Sequence, residues 1–261
     1  MKWISRIRLK RDSRELQKLA ELALGSLYGE HQLVWRFMEE HASERGRWQG
    51  KDGDAQPLFL YRKEVEQGNT VFYLLSQHPP KVESLLWACE TKPYAPQLQV
   101  GERIAFRLRA NPTVGRQTLL GTAALAKYNE GRVARGLPAK PSRHKRQFDD
   151  VLFCAKRRAE QQGLGGGELD RQVYQAGCDW LHRQGEKYGL AVEEVSMGGY
   201  QSNKAENNQD APIVFSSVDY QGVARIKNLA LLDKALHEGV GRAKGFGCGL
   251  LLIRRVADHE E

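Results

Sequence analysis

The sequence predicts an α+β fold of two tandem ferredoxin-like, or RRM-like, domains, and three observations carry that prediction. Period-two strands open the chain and reopen it at residue 103. Each is followed by helical spacing and a pair of strands. The same order of elements is therefore met twice, although no sequence repeat is detectable.

In residues 3–10, Ile7 and Leu9 alternate with Arg6, Arg8 and Lys10, the pattern of a strand with one buried and one wet face. Asp12 with Glu15 three positions on forms a capping box, and Leu16, Leu19, Ala20 and Ala23 recur at helical spacing. Gly25 interrupts this helix, which resumes through Tyr28 to Phe37. Gly46, Gly50, Gly53 and Pro57 mark a polar connection. Strands over 57–65 and 70–77 follow, joined by a tight hairpin at Gly68 and Asn69. A short helical or turn segment at Val82–Leu86 and a strand at Trp87–Thr91 complete a first domain over residues 1–93.

After the Pro-bounded linker KPYAPQLQVG, a second domain is expected over 98–261. Its first strand alternates Ile104, Phe106, Leu108 and Ala110 with Ala105, Arg107 and Arg109. Residues 113 to about 168 read as a basic insertion containing KPSRHKRQF. A helix over Leu169–Gln184 places Val173, Ala176, Trp180 and Leu181 on one stripe. Strands at Leu190–Met197 and Ile213–Lys227 flank the polar tip GGYQSNKAENNQDAP. The final helix starts at the N-cap Asn228 and stops at Gly239, and the apolar run Leu250–Ile253 suits the centre of a sheet.

Forty Lys and Arg against 32 Asp and Glu leave a charge of +8, which favours a polyanionic partner through counterion release. Cys89, Cys154, Cys178 and Cys248 are scattered singly, away from zinc or redox spacings, and read as buried thiols in a reducing cytoplasm. No apolar run spans a bilayer, so no membrane partner is expected.

Tyr28 and His31 lie three apart and share a helix face. A histidine exchanges protons near neutrality, a tyrosine hydroxyl orients a reacting oxygen, and the forked cation Arg36 is suited to steadying a phosphate. Packing is the competing reading, because Tyr28, His31 and Trp35 also form an amphipathic stripe. The other six histidines read as surface residues. The loop GVGRAKGFGCG (239–249) carries Gly241, Arg242, Lys244, Gly245 and Gly247; it lacks the GK[ST] of a phosphate loop and sits too close to the end for a dinucleotide fold. Contact with an RNA backbone and a plain structural turn are both open for it. Arg107 and Arg109, which project together, and the run Arg143–Arg146 are likewise either solvated or RNA-facing.

The segments LYGEHQLVWRFM, FRLRANP and GVGRAKGFGCGLLLI, in this order, resemble the CasE family, the CRISPR repeat-processing endoribonuclease of the type I-E Cascade complex. The resemblance implies paired ferredoxin-like domains, a CRISPR repeat hairpin as substrate and other Cascade subunits as partners. It also implies metal-independent cleavage at the 3′ base of the hairpin, with no cofactor, in which a ribose 2′-OH attacks the neighbouring phosphate to leave a cyclic phosphate and a 5′-OH. The family's catalytic histidine matches His31, its tyrosine Tyr28 and its following cation Arg36. Basic residues of the second domain and the glycine-rich loop grip the hairpin in that family. Here the hairpin tip has only Lys204, which assigns the grip to Arg225, Lys227 and the basic insertion as well. A non-catalytic RNA-binding subunit is the alternative reading.

Overall fold

A computed structural model describes residues 2–10, 25–38, 40, 58–84, 86–206 and 212–256. The expected helix from Asp12 to Ala23 and the connection over 46–57 lie outside the described residues. In chain order the elements are β1 (Lys2–Leu9), α1 (Leu27–Phe37), β2 (Phe59–Glu66), β3 (Asn69–Ser76), β4 (Trp87–Tyr94), β5 (Arg103–Ala110), β6 (Thr113–Leu119), α2 (Thr122–Val133), β7 (His144–Asp150), α3 (Val151–Gln161), α4 (Gly166–Lys187), β8 (Leu190–Ala205), β9 (Ile213–Ile226), α5 (Leu229–Glu238) and β10 (Leu251–Arg255).

Two four-stranded antiparallel sheets share one topology. The first has the order β2-β3-β1-β4 and the second β10-β5-β9-β8, so in each the first strand sits centrally between the third and the fourth. That is the ferredoxin-like order, met twice. The β2–β3 hairpin closes through Gln67 and Gly68, both at positive φ (50° and 78°), the two-residue turn whose twist matches its strands.

Helix α1 begins where the Ser26 side chain accepts from the Gly29 N–H at 3.0 Å. Eleven residues are too few for a helix to persist alone in water. It is held by burying Val34, Trp35 and Phe37 against Phe59, Tyr61, Phe72 and Trp87, each large side chain contributing about 1.5–3 kcal/mol. The opposite face of this sheet forms a second apolar cluster in which Leu60 and Leu75 meet Leu250, joining the two sheets.

Two expectations are corrected. Residues 79–84 form no helix: Pro79 and Pro80 remove backbone donors, and the Lys81 N–H bonds instead to the Phe37 carbonyl at the end of α1. Strand β10 is an edge strand and does not lie at a sheet centre. Its apolar run has another cause. Leu251 is buried on the helix-covered face, while Leu250 and Leu252 pack into the cluster between the sheets. In the second half, α5 runs from the Asn228 cap to Gly239 at φ 78° as expected, whereas β8 continues through Ala205 and takes up much of the supposed hairpin tip.

Residues 113–173 form a separate compact unit, in which β6 and β7 pair from Thr113↔Asp150 to Leu119↔His144. Most of the run 143–146 is therefore strand. Arg143 lies 3.8 Å over the Tyr128 ring. Twelve Lys and Arg against six Asp and Glu give this unit +6 of the chain's +8. All four cysteines are free; Cys178 and Cys248 are buried, but Cys89 and Cys154 are only half-buried, being near the ends or edges of their elements. Among the described residues no helix is long and apolar enough to cross a membrane.

Candidate active site

Tyr28 and His31 both lie on α1, one turn apart, with ring centroids separated by 6.3 Å. The 3-10 turn Lys244–Phe246 of the glycine-rich loop packs against His31. His31 Nδ1 lies 2.7 Å from the carbonyl oxygen of Gly245, and Trp35 Nε1 lies 3.1 Å from His31 Nε2. A carbonyl only accepts and an indole N–H only donates. Both partners therefore demand the same tautomer: Nδ1 carries the proton, and Nε2 presents its lone pair. Three further contacts keep the arrangement in place. The buried Tyr61 hydroxyl also donates to the Gly245 oxygen, at 3.1 Å. Burial pushes the Tyr61 pKa up, so it remains a donor. Trp35 packs edge-on against Phe59 at 4.8 Å, and Phe246 lies 5.7 Å from the imidazole.

Glycine at 245 and at 247 serve different ends. Gly247 has φ 78°, a backbone conformation that other residues resist, and a Cβ there would lie 3.3 Å from the Tyr61 ring. At Gly245 a Cβ would rest 3.6 Å from the His31 ring, an ordinary packing distance, so this position contributes through its backbone carbonyl rather than through the lack of a side chain. The loop thus completes the histidine site. Gly241, also at φ 78°, belongs to the bend that brings the loop back from α5.

The structure distributes the remaining candidates unevenly. Arg36, five residues after His31, lies about 140° further around the helix and is exposed. Arg107, Lys227 and Arg242 are exposed, as is Lys204, which pairs with Glu206. The others hold the protein together. Arg109 grips Asp219 with two nitrogens, at 3.0 and 2.9 Å. Arg225 bonds Glu193 at 2.8 Å and the Gly101 carbonyl at 3.0 Å. Lys244 donates to the Glu238 carbonyl at 2.5 Å, at the end of α5, and burial holds its pKa below the usual lysine range. Of the other histidines, His237 pairs with Asp233 on α5 at 3.0 Å.

A family model described as CRISPR associated protein matches residues 2–255. The chain belongs to the CRISPR-associated protein family. No curated protein matches it. Similar solved structures include Thermus thermophilus Cse3 bound to an RNA representing a pre-cleavage complex, at 19% identity and TM-score 0.59, covering 97% of this chain and 98% of that one. Cas6e of Escherichia coli K-12 aligns at 21% identity and TM-score 0.51, covering 97% and 100%. A component of a CRISPR RNA-guided surveillance complex aligns at 19% and 0.53, covering 97% and 100%. At these identities the likeness establishes the shared fold.

In this CRISPR-associated chain the sequence signals missed two participants, Trp35 and Tyr61. Trp35 stands four residues after His31, a spacing that brings side chains together on a helix, and that was the available clue. Tyr61 carried none, because it meets Gly245 only through the fold. Trp35→Phe leaves an aromatic ring in the packed position and removes only the hydrogen bond to Nε2, worth about 1 kcal/mol, so that the Gly245 carbonyl alone then holds the imidazole. Nitrogen-15 NMR is the check: His31 should show the Nδ1–H tautomer in the native protein and keep it in the variant, because the Gly245 carbonyl still accepts from Nδ1. A mixture of tautomers in the variant would show that the Gly245 carbonyl does not fix the ring by itself.

Proposed function

We propose that this chain is a CasE-type endoribonuclease that binds the repeat hairpin of CRISPR precursor RNA and cuts at its 3′ base without a metal. The observation that carries the reading is His31, held in one tautomer with its basic nitrogen on the side of Trp35 and with Tyr28 one turn away. Family membership and a fold shared with RNA-bound Cse3 support it. In the proposed reaction the upstream ribose 2′-OH takes the indole's place at Nε2 and gives up its proton there. Its oxygen attacks the adjacent phosphorus, the bond to the 5′-oxygen breaks, and the imidazolium returns the proton to that leaving oxygen. A 2′,3′-cyclic phosphate and a 5′-OH result. Tyr28 would orient a reacting oxygen, while Arg36 would steady the phosphate where the strand crosses the exposed side of α1.

RNA grip is assigned to the exposed cations Arg107, Lys204, Lys227 and Arg242 and to the basic unit 113–173, with the product retained among other Cascade subunits in the cytoplasm. Arg109, Arg225 and Lys244, which the sequence also nominated, are already engaged within the protein. Cognate repeat RNA incubated with excess EDTA should be cut at the native rate, and a single 2′-deoxy substitution upstream of the cut should stop cleavage while leaving binding intact. Arrest by EDTA, or normal cutting of the deoxy substrate, would overturn the mechanism. One observation favours the second reading, a non-catalytic RNA-binding subunit: both nitrogens of His31 are hydrogen-bonded within the protein. That reading requires tight binding and no cleavage in the same assay.

A further inference from the structure

Beside the His31 site opens a cleft of about 400 Å³, bounded by α1, β2, β5, β8 and β9 and the glycine-rich loop. Phe246 is common to both places. Its ring lies 5.7 Å from the His31 ring and is stacked 5.4 Å from Phe215, which lines the cleft. One aromatic ring therefore touches the histidine site and also lines this space.

The charges around the cleft are matched. Lys63 bonds Glu30 at 2.5 Å, Arg109 is paired with both oxygens of Asp219, and Arg62 reaches Asp219 at 3.1 Å as well as Glu64. Three cations face three carboxylates. A phosphate entering here would have to displace a carboxylate from its cation, with no net gain in attraction. A neutral, flat and polar-edged group meets no such penalty. Phe215, backed by the Phe246 ring stacked on it, offers it an apolar wall, and Gln201, Asn203 and Ser217 line the same space with amide and hydroxyl groups. Asn203 is itself oriented, its Nδ2 donating to Ser217 Oγ at 2.9 Å and to the Gln201 carbonyl at 3.2 Å. Aromatic walls take any base by stacking, and polar edges then discriminate among bases.

We infer that this cleft is a pocket for a single unpaired nucleobase, that of the nucleotide next to the scissile phosphate. The inference rests on the nuclease reading for the identity of the substrate and extends it to how the strand is held in register. Its test reads binding alone, using the full chain and repeat RNA made uncleavable by one 2′-deoxy sugar at the cut. Abasic sites are placed in turn on the two nucleotides flanking the scissile phosphate. At one of them the native protein should lose about tenfold in affinity, within the range of 1–3 kcal/mol per stacked base. Phe215→Ala should bind intact and abasic RNA equally. Gln201→Ala, at an exposed position that cannot disturb the core, should reduce discrimination among the four bases there by at least threefold. The proposal falls if neither abasic site costs more than twofold, or if Phe215→Ala and Gln201→Ala both retain the native pattern. Because no bond is broken in this assay, its failure leaves the nuclease reading standing, and absence of cleavage elsewhere leaves the pocket testable.

Discussion

Replacing His31 with alanine is expected to reduce cleavage of the repeat RNA by about 10²–10⁴-fold, the usual contribution of a positioned acid–base group. Binding should change less than threefold, because the imidazole is partly buried and bonded to the protein's own loop. Single-turnover rates with saturating enzyme separate the two effects. The variant removes the ring that both Trp35 and Gly245 address, so the Gly245 oxygen keeps only Tyr61 as a donor in this cluster. A thermal midpoint within a few degrees of the native value would show that the lost rate is chemical in origin. Cutting at more than a tenth of the native rate would exclude His31 as the proton carrier.

The largest effect on stability is expected at Asp219. Its carboxylate joins β9 to Arg109 on β5 and to Arg62 on β2, and so connects the two sheets. Arg62 is 4% exposed, and its Nη1 is buried without a hydrogen-bond partner among the described residues. Burial already lowers its pKa, while Glu64 and Asp219 oppose that fall. Asp219→Ala would leave two guanidinium groups facing each other without their shared anion. Breaking a buried pair on one side costs 3–5 kcal/mol; Asp219 is itself 37% exposed, which brings the expectation to about 2–3 kcal/mol. For a unit of this size that corresponds to a fall in Tm of about 4–12 °C, measurable by calorimetry. An unchanged Tm would mean that water replaces the carboxylate without loss.

What was legible in the sequence follows the range of the forces involved. Helix α5 could be read at both ends, because its N-cap Asn228 and its stop Gly239 act within a few residues of themselves. Strand β5 was equally plain, since its alternation records one buried and one open face. The edge position of β10 was hidden: a residue run carries burial, but it does not say whether the cover comes from neighbouring strands or from another sheet. The internal bonds of the arginines were hidden for a related reason. Arg109 stands 110 residues from Asp219, and Arg225 stands 32 from Glu193, so nothing local distinguishes a cation employed in the fold from one available to RNA. At the site, the pair Tyr28 and His31 was legible from one helical turn, whereas its completion by the Gly245 carbonyl was not.

That completion lies 214 positions downstream of the imidazole it seats. During synthesis, α1 and its histidine leave the ribosome long before residues 244–246 exist. A chain that stops ahead of them has the ring but lacks its acceptor, so on the proposed nuclease reading a competent imidazole requires the loop as well as the helix, and removal of residues 244–246 should cost cleavage even where α1 still folds.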